Sequence, residues 1–438
     1  MSPTPFRIGM IGCGTVGGGV ARLLSEQREL YQHRLGRPIE LTRVLVRTPA
    51  KAIEGGQVTA AQVTDDADAF FDEAYDAIIE VAGGAGVVGD YVRRALSLGR
   101  HVVTANKSLL AAHGRELFKL AREHDAAIAF EASCGGGIPC VTAIQTGLTA
   151  NAYHGLYGIL NGTCNYILTE MTHHGRTYEQ ALAEAKELGY AEADETLDVS
   201  GQDAAQKLAI LASLAFDADL HEGDVPCIGI DGLELMDIEL GAKLGYDIKL
   251  LATAERWPGS DWIALNCRPC FIHNDDLLAD VEGSFNALLL DGHAVGQTML
   301  YGRGAGAMPT ASAVVSDLIS VLSGGYPALF ANLRLTPDCQ PEPKLVEPAD
   351  IESRFYLRID ARDVPGVMAK VTKALGDRNI SLASMHQPEA NAGQVVPVVF
   401  TTHTARQGDL LAACDDIARL EEITGKPVLI RIIDLPRG

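Results

Sequence analysis

Glu192, Asp194, Asp198, Asp203 and Lys207 crowd into the sixteen residues 192–207 of the segment GYAEADETLDVSGQDAAQKLAIL. Carboxylates gathered near a lysine can hold an ammonium-bearing substrate and tune the lysine's own ionisation. The run DAAQKLAILASLA has a helical pattern, on which Asp203 and Lys207 sit about 40° apart. Ile210, Leu211 and Leu214 share their face, and the opposite face is mostly alanine. Two plain readings compete. An acid and a base four apart often form a solvated helix pair, and Ser200 with Asp203 spells a weak capping box. Against both, burying a lysine is costly unless it is paired or chemically useful.

Three other stretches are dense in polar groups. TANK (104–107) ends an apolar run, which puts Lys107 at the carboxyl edge of a sheet, where ligands bind in α/β folds. EASCGGGIP (131–139) turns sharply after a further run, and NGTCNYIL (161–168) opens a helix with several amides and hydroxyls. Taken singly, each is compatible with ordinary turn chemistry.

The N-terminal end carries a nucleotide signature. FRIGMIG leads into GCGTVGG (12–18), where Gly12, Gly14 and Gly17 match G-x-G-x-x-G. The first glycine permits the tight turn, the second lets backbone approach a pyrophosphate, and the third lets the helix pack on the strand. Thr15 and Val16 then open the helix, whose free N–H groups face the anion. The second strand ends VLVRTPAK. Enzymes using NAD usually place an acid at that tip. Here Arg47 and Lys51 stand there instead, cations suited to a 2′-phosphate, so NADP is the expected cofactor, with NAD possible.

These groups need a scaffold. Residues 6–133 alternate strands (FRIGMIG, ELTRVLVR, YDAIIEVAGG, HVVTANK, AAIAFEAS) with helical runs at 15–30, 87–98 and 108–124, the pattern of a Rossmann-type parallel sheet. Residues 135–304 read as a mixed α/β domain. It has strands in GLYGILNG, WIALNCRPCFI and the pair FNALLLDGHAVGQTMLYG, and helices at 177–188 and 201–216. A helical pattern at 305–322 completes domain 1–134. Residues 325–350 hold five prolines and little periodicity, which reads as a stiff linker. Residues 351–438 run strand, helix, strand, strand, helix, strand, a small ferredoxin-like pattern.

Composition sets the class. A net charge of −21 argues against nucleic-acid or anionic-membrane partners. No apolar run reaches the roughly 18 residues of a membrane span, and MSPTPFRIGMIG enters a strand with no signal core, so the cytoplasm is expected. Nine scattered cysteines point to free thiols. The C-x-x-C of Cys267 and Cys270 lies in a strand-like run, a poor setting for a redox or zinc site.

Together GCGTVG, TANK, EASCGGGIP, NGTCNYIL, GYAEAD…GQDAAQKLAIL and YGRGAGAMPTASAV closely resemble homoserine dehydrogenase in its long form, over essentially the whole chain and in order. DARDVPGVMAKVTKALGDRNISLASM (360–385) resembles the ACT signature. The resemblance implies reversible NAD(P)H-dependent reduction of L-aspartate 4-semialdehyde to L-homoserine, in threonine, methionine and isoleucine biosynthesis. It assigns Lys207 as proton donor, with Lys107 as a second lysine near nicotinamide and substrate. Glu192 and Asp203 would hold the substrate amino group and hydroxyl, with Asp198 beside them, and Gly189 and Gly304 would line the cofactor. Glu131, Cys134, Gly136 and Ile138 match a monovalent-cation site (sodium or potassium) built mostly from backbone carbonyls. Cys134 stands where the family often has valine, a departure of little weight for a carbonyl ligand. The ACT region would bind an amino-acid effector, L-threonine, at Asp363, Gly366 and Asn379, in a homodimer or homotetramer. A ligand-free dimerisation module, another amino-acid dehydrogenase and a non-catalytic amino-acid sensor are the competing readings.

Overall fold

A computed structural model describes residues 3–191, 194–389, 391 and 393–436. The chain forms two compact units. The first comprises residues 1–156, 205–225 and 286–343, the second 157–204, 226–285 and 344–438.

The first unit is built on strands β1 (Phe6–Ile11), β2 (Ile39–Leu45), β3 (Val63–Thr64), β4 (Ala77–Glu80), β5 (His101–Thr104) and β6 (Ile128–Ala129). They lie in the order β3-β2-β1-β4-β5-β6, and every pairing is parallel. This is the doubly wound order expected of a dinucleotide-binding sheet. Ile8, Met10, Ile78 and Ile79 are fully buried, because a parallel sheet has helices on both faces. The helix Ala307–Leu322 packs on the first helix, Thr15–Glu26, where a Cβ on Gly19 would come within 3.0 Å of the Ala307 carbonyl and the Ala311 methyl. The helical pattern at 305–322 is thus borne out. Strand β7 (Tyr153–Ile159) crosses from one unit into the other.

In the second unit, β8 (Tyr246–Arg256) and β9 (Ile263–His273) pair antiparallel over their full lengths. Strands β10 (Phe285–Gly292) and β11 (Gly296–Arg303) form a hairpin that belongs almost wholly to the first unit. The C-terminal region contributes β12 (Glu352–Arg362), β13 (Leu382–His386), β14 (Val395–Thr402), the short β15 (Ala405–Arg406) and β16 (Ile423–Ile433). The sheet order is β8-β9-β16-β12-β14-β13. The expected ferredoxin-like region is present, and its β16 runs parallel to β9, with Arg431, Ile432 and Ile433 opposite Cys270, Phe271 and Ile272. Val367, Val371 and Leu375 recur every fourth residue on its first helix and close a core with Phe355, Leu357 and Phe400.

The stretch 325–350 is more ordered than its prolines imply. Gly325–Asn332 is a helix with Tyr326 and Phe330 buried. Pro327 falls in its first turn, where the missing N–H has no intrahelical partner to lose. Further on, Val346 donates to Ile263 O and Ile263 donates to Lys344 O, extending the sheet beside β9.

Candidate active site

The glycines of the first turn behave as their spacing requires. Gly12 has φ +94°, and a Cβ there would lie 2.6 Å from Ala82 backbone; a Cβ on Gly17 would lie 2.5 Å from the Gly12 carbonyl. A Cβ on Gly14 would meet nothing within 4 Å, which leaves its backbone face open at the N-terminus of the helix that begins at Thr15 and Val16. A cavity of about 510 Å³ opens there, lined by Gly12, Gly14, Arg47, Lys51 and the loop 81–88. Arg47 and Lys51 therefore share one cavity with the glycine turn. So does Asp65, an acid that follows β3 and was not anticipated from the tip of the second strand.

The far wall of this cavity rests on a buried glutamate that sequence reading passed over. Glu80, the last residue of β4, accepts from the Ala82 and Gly83 N–H groups at 2.9 and 3.0 Å and from the Thr104 hydroxyl at 2.6 Å. Asn106 caps the helix Lys107–Glu123 by accepting from Leu109 N–H at 3.1 Å, and donates to Gly84 O at 2.8 Å. TANK thus locks the cavity loop and starts the helix on which Lys107 is the first residue. An acid inside an otherwise apolar strand, IIE, was the available signal.

Within the same unit, residues 131–138 turn tightly through Gly135 and Gly136, at φ +72° and +56°. Glu131 is buried, and its carboxylate accepts from Val141 and Thr142 N–H groups. Burial raises its pKa, and those hydrogen bonds oppose the rise. Asp317, on the helix Ala307–Leu322, accepts from Glu131 N–H at 2.8 Å. Burial, then the Glu131 charge, pushes its carboxyl up to about 8. Gly136 packs so closely on the loop after β11 that a Cβ would lie 2.4 Å from Gly304 O, and a Cβ on Gly304 would meet Asn286 at 2.1 Å. Two of the four expected cation ligands, the Glu131 and Ile138 carbonyls, accept backbone N–H groups from Cys134 and Cys140. Each such oxygen has a second lone pair, so the donor set fits a hard monovalent cation.

The helix expected at 201–216 spans Gln202–Phe216. Lys207 and Asp203 are each 9% exposed, so neither is a solvated surface charge. The Lys207 carbonyl lies 3.9 Å from the Cys134 sulfur. Burial pushes the Cys134 thiol up to about 12, against the Ser133 hydroxyl and the charges of Lys207 and Lys107. Both lysines therefore act on the same turn.

In the second unit, Asn161 joins two carboxylates. Its amide donates to Asp198 and to Asp203, both at 2.8 Å, while its oxygen caps the helix Gly162–His174 by accepting from Cys164 N–H. The single Thr163 hydroxyl proton is shared between Tyr190 O at 2.7 Å and the Asp198 carboxylate at 3.1 Å. NGTCNYIL thus orders the acids, and Asn161 belongs with the site. Gly189, at φ +74°, ends the helix Tyr178–Glu187. Glu192 lies outside the described residues. Among the described residues, no group of three or more His, Cys, Asp or Glu side chains forms a metal cluster.

Near β12, Asp363 accepts from the Gln387 amide at 3.1 Å. Gly366 (φ +95°) starts the following helix, and Asn379 (φ +57°) turns after it.

Comparison with known proteins agrees along the chain. Family models described as "Homoserine dehydrogenase, NAD binding domain", "Homoserine dehydrogenase" and "ACT domain" match residues 12–131, 139–319 and 355–422. The homoserine dehydrogenase of Pseudomonas aeruginosa is 41% identical over 436 residues, covering 98% of this chain and 99% of that protein. That of Bacillus subtilis is 37% identical over 95% of this chain and 96% of its own. The crystal structure of a homoserine dehydrogenase from Thiobacillus denitrificans superposes with a TM-score of 0.93 at 37% identity, covering 99% of this chain and all of that one.

Proposed function

The chain belongs to the homoserine dehydrogenase family, and from that premise we propose how its own residues carry the reaction. It is an NAD(P)-dependent oxidoreductase interconverting L-aspartate 4-semialdehyde and L-homoserine, with a C-terminal ACT region. The bound nicotinamide supplies or takes up the hydride. Lys207 stabilises the charge that develops on the substrate's carbonyl oxygen and donates a proton to it. Its burial beside the Cys134 turn is the observation that carries this role, since an ammonium shielded from water interacts strongly with a developing alkoxide. Lys107 assists from the start of its helix. Asp203, oriented by Asn161, holds the substrate's polar groups together with Glu192, and Asp198 supports Asp203 through their shared Asn161 amide.

Gly12, Gly14, Thr15, Val16 and Gly17 hold the cofactor pyrophosphate, and Gly189 and Gly304 line the cofactor elsewhere. Arg47 and Lys51 favour NADP over NAD through its 2′-phosphate. The carbonyls of Glu131, Cys134, Gly136 and Ile138 would hold sodium or potassium at the turn next to Lys207. The functional division is 1–134 with the helix 305–325 for the dinucleotide, 135–304 for substrate and dimerisation, 325–350 as connector, and 351–438 for regulation. We place the enzyme in the cytoplasm as a homodimer or homotetramer, with L-threonine as its effector. Initial rates of NADPH oxidation with aspartate semialdehyde, and of NADP reduction with homoserine at alkaline pH, test the assignment. Comparable kcat/KM with NADH would remove the role of Arg47 and Lys51.

A further inference from the structure

The sequence pairs Cys267 with Cys270 as C-x-x-C, but three positions apart on β9 they point to opposite faces. The neighbour of Cys267 is Cys227. Residues 226–228 run parallel beside β9: Cys267 N–H donates to Pro226 O at 2.9 Å and Ile228 N–H to Cys267 O at 2.8 Å, which sets Cys227 directly opposite Cys267. Paired backbones lie about 4.8 Å apart, inside the range of Cα separations, roughly 4.4–6.8 Å, that a disulfide spans. Both thiols converge on one turn. Cys227 donates to Ser200 O at 3.2 Å and Cys267 to Gly201 O at 3.4 Å, and a Cβ on Gly201 would lie 2.9 and 3.5 Å from the two sulfurs. Gly201, at φ +82°, immediately precedes the helix Gln202–Phe216.

We propose that Cys227 and Cys267 form a reversible disulfide under oxidation by hydrogen peroxide, and that this disulfide displaces the Ser200–Gly201 turn and switches the enzyme off. Cys227 is partly exposed and Cys267 buried. Hydrogen bonding to Cys227 and burial raise the Cys267 thiol pKa, so Cys227 is the sulfur that meets oxidant first. The Cys227 sulfur attacks a peroxide oxygen, the O–O bond breaks, and one water leaves with a sulfenic acid behind. The Cys267 sulfur then attacks the Cys227 sulfur, the S–O bond breaks, and a second water leaves. Two thiols are oxidised by two electrons, and one peroxide is reduced to two waters. The Ser200 and Gly201 carbonyls lose their S–H donors together, next to Asp203 and its 2.8 Å bond from Asn161.

The switching half rests on the role given to Asp203; formation of the disulfide does not. The test treats the full-length protein with hydrogen peroxide, alkylates residual thiols and maps peptides without reduction, alongside turnover before and after dithiothreitol. We expect a Cys227–Cys267 linkage and a fall in kcat of roughly 10- to 100-fold, the scale of a small misplacement, reversed by dithiothreitol. Cys227→Ser and Cys267→Ser should keep basal turnover and lose the reversible inhibition, with Tm confirming that each folds. A linkage through Cys164, whose thiol donates to Asp198 O at 3.1 Å, or no linkage at all, overturns the proposal. So does reversible inhibition that persists in Cys227→Ser, or a linkage that leaves turnover intact. Asp203→Asn, assayed separately for substrate KM, shows whether the substrate reading alone has failed.

Discussion

Lys207 is where residue chemistry is most exposed to test. It is buried, and its carbonyl lies against the Cys134 turn. Lys207→Ala removes the proposed proton donor without touching the glycine turn, so kcat should fall about 10²–10⁴-fold while NADPH titrated by fluorescence binds as before. Turnover near the wild-type value would take Lys207 out of the mechanism. Asp317 predicts a pH dependence. Its folded pKa of about 8 lies above the value near 4 of an unfolded aspartate, so between these limits the native state binds the extra proton. Stability from this group is fully present below about pH 4 and is lost as pH rises through about 8. Asp317→Asn cannot titrate, and its amide oxygen can still accept from Glu131 N–H. Its Tm should fall less steeply than that of the wild type from pH 5 to 9 and stand higher at pH 9; parallel curves would refute the account. The two residues differ in legibility. Lys207 was readable because a charge among Ile210, Leu211 and Leu214 breaks a helical pattern. Asp317 is likewise a lone charge in the apolar SAVVSDLISVL, but its partner, the Glu131 N–H, is 186 residues away, so its role could not be read locally.

Element by element, legibility followed how far each structure is determined locally. The glycine turn, the helix Gln202–Phe216 and the parallel strands were recognisable because period and turn chemistry are local. Strand β8 was not. Its DIKLLATAE is rich in helix formers, and only pairing with β9 over eleven residue pairs makes it a strand. The helix Gly325–Asn332 was hidden by Pro327, whose place in the first turn costs the helix nothing. The tip of β2 carries a prediction that structure has sharpened. Arg47 and Lys51 line the cofactor cavity, but Asp65, just after β3, lines it too. Arg47→Asp should move the ratio of kcat/KM for NADPH over NADH toward NADH by about 1–3 kcal/mol, the scale of one charge-assisted hydrogen bond. Asp65→Asn should move it the other way if that acid faces a ribose hydroxyl. A ratio unmoved by both variants would place cofactor discrimination elsewhere.

For the molecule as a whole, the ACT region is part of a larger body rather than an appendage. Residues 344–438 share a compact unit with 157–204 and 226–285, and β16 is hydrogen-bonded to β9. Arg358, 2% exposed, binds Asp237 at 2.6 Å, and Tyr356 donates to the same carboxylate at 2.9 Å. Arg431 binds Glu255 at 2.8 Å. Deleting residues 350–438 would leave the buried Asp237 without Arg358 and Tyr356, and uncompensated buried charge is strongly destabilising. A truncated chain should therefore unfold at lower temperature, and loss of threonine response in it would not isolate regulation. Gly366 offers a cleaner probe. A Cβ there meets nothing within 4 Å, and only φ +95° opposes a side chain, a strain of about 1–2 kcal/mol. An effector acts only through unequal affinity for two states of the enzyme, so a change confined to this turn should alter inhibition and not chemistry. We expect L-threonine to inhibit the full chain, and Gly366→Ala to raise the half-inhibiting concentration at unchanged kcat and substrate KM. A coupling of about 1–3 kcal/mol between threonine and substrate corresponds to a 5- to 150-fold change in their mutual affinity. Initial-rate titrations of both proteins, with calorimetry of threonine binding, decide it. Absence of binding and inhibition at millimolar threonine would make the ACT region a structural part of the second unit, and equal inhibition of both proteins would move the effector away from this turn.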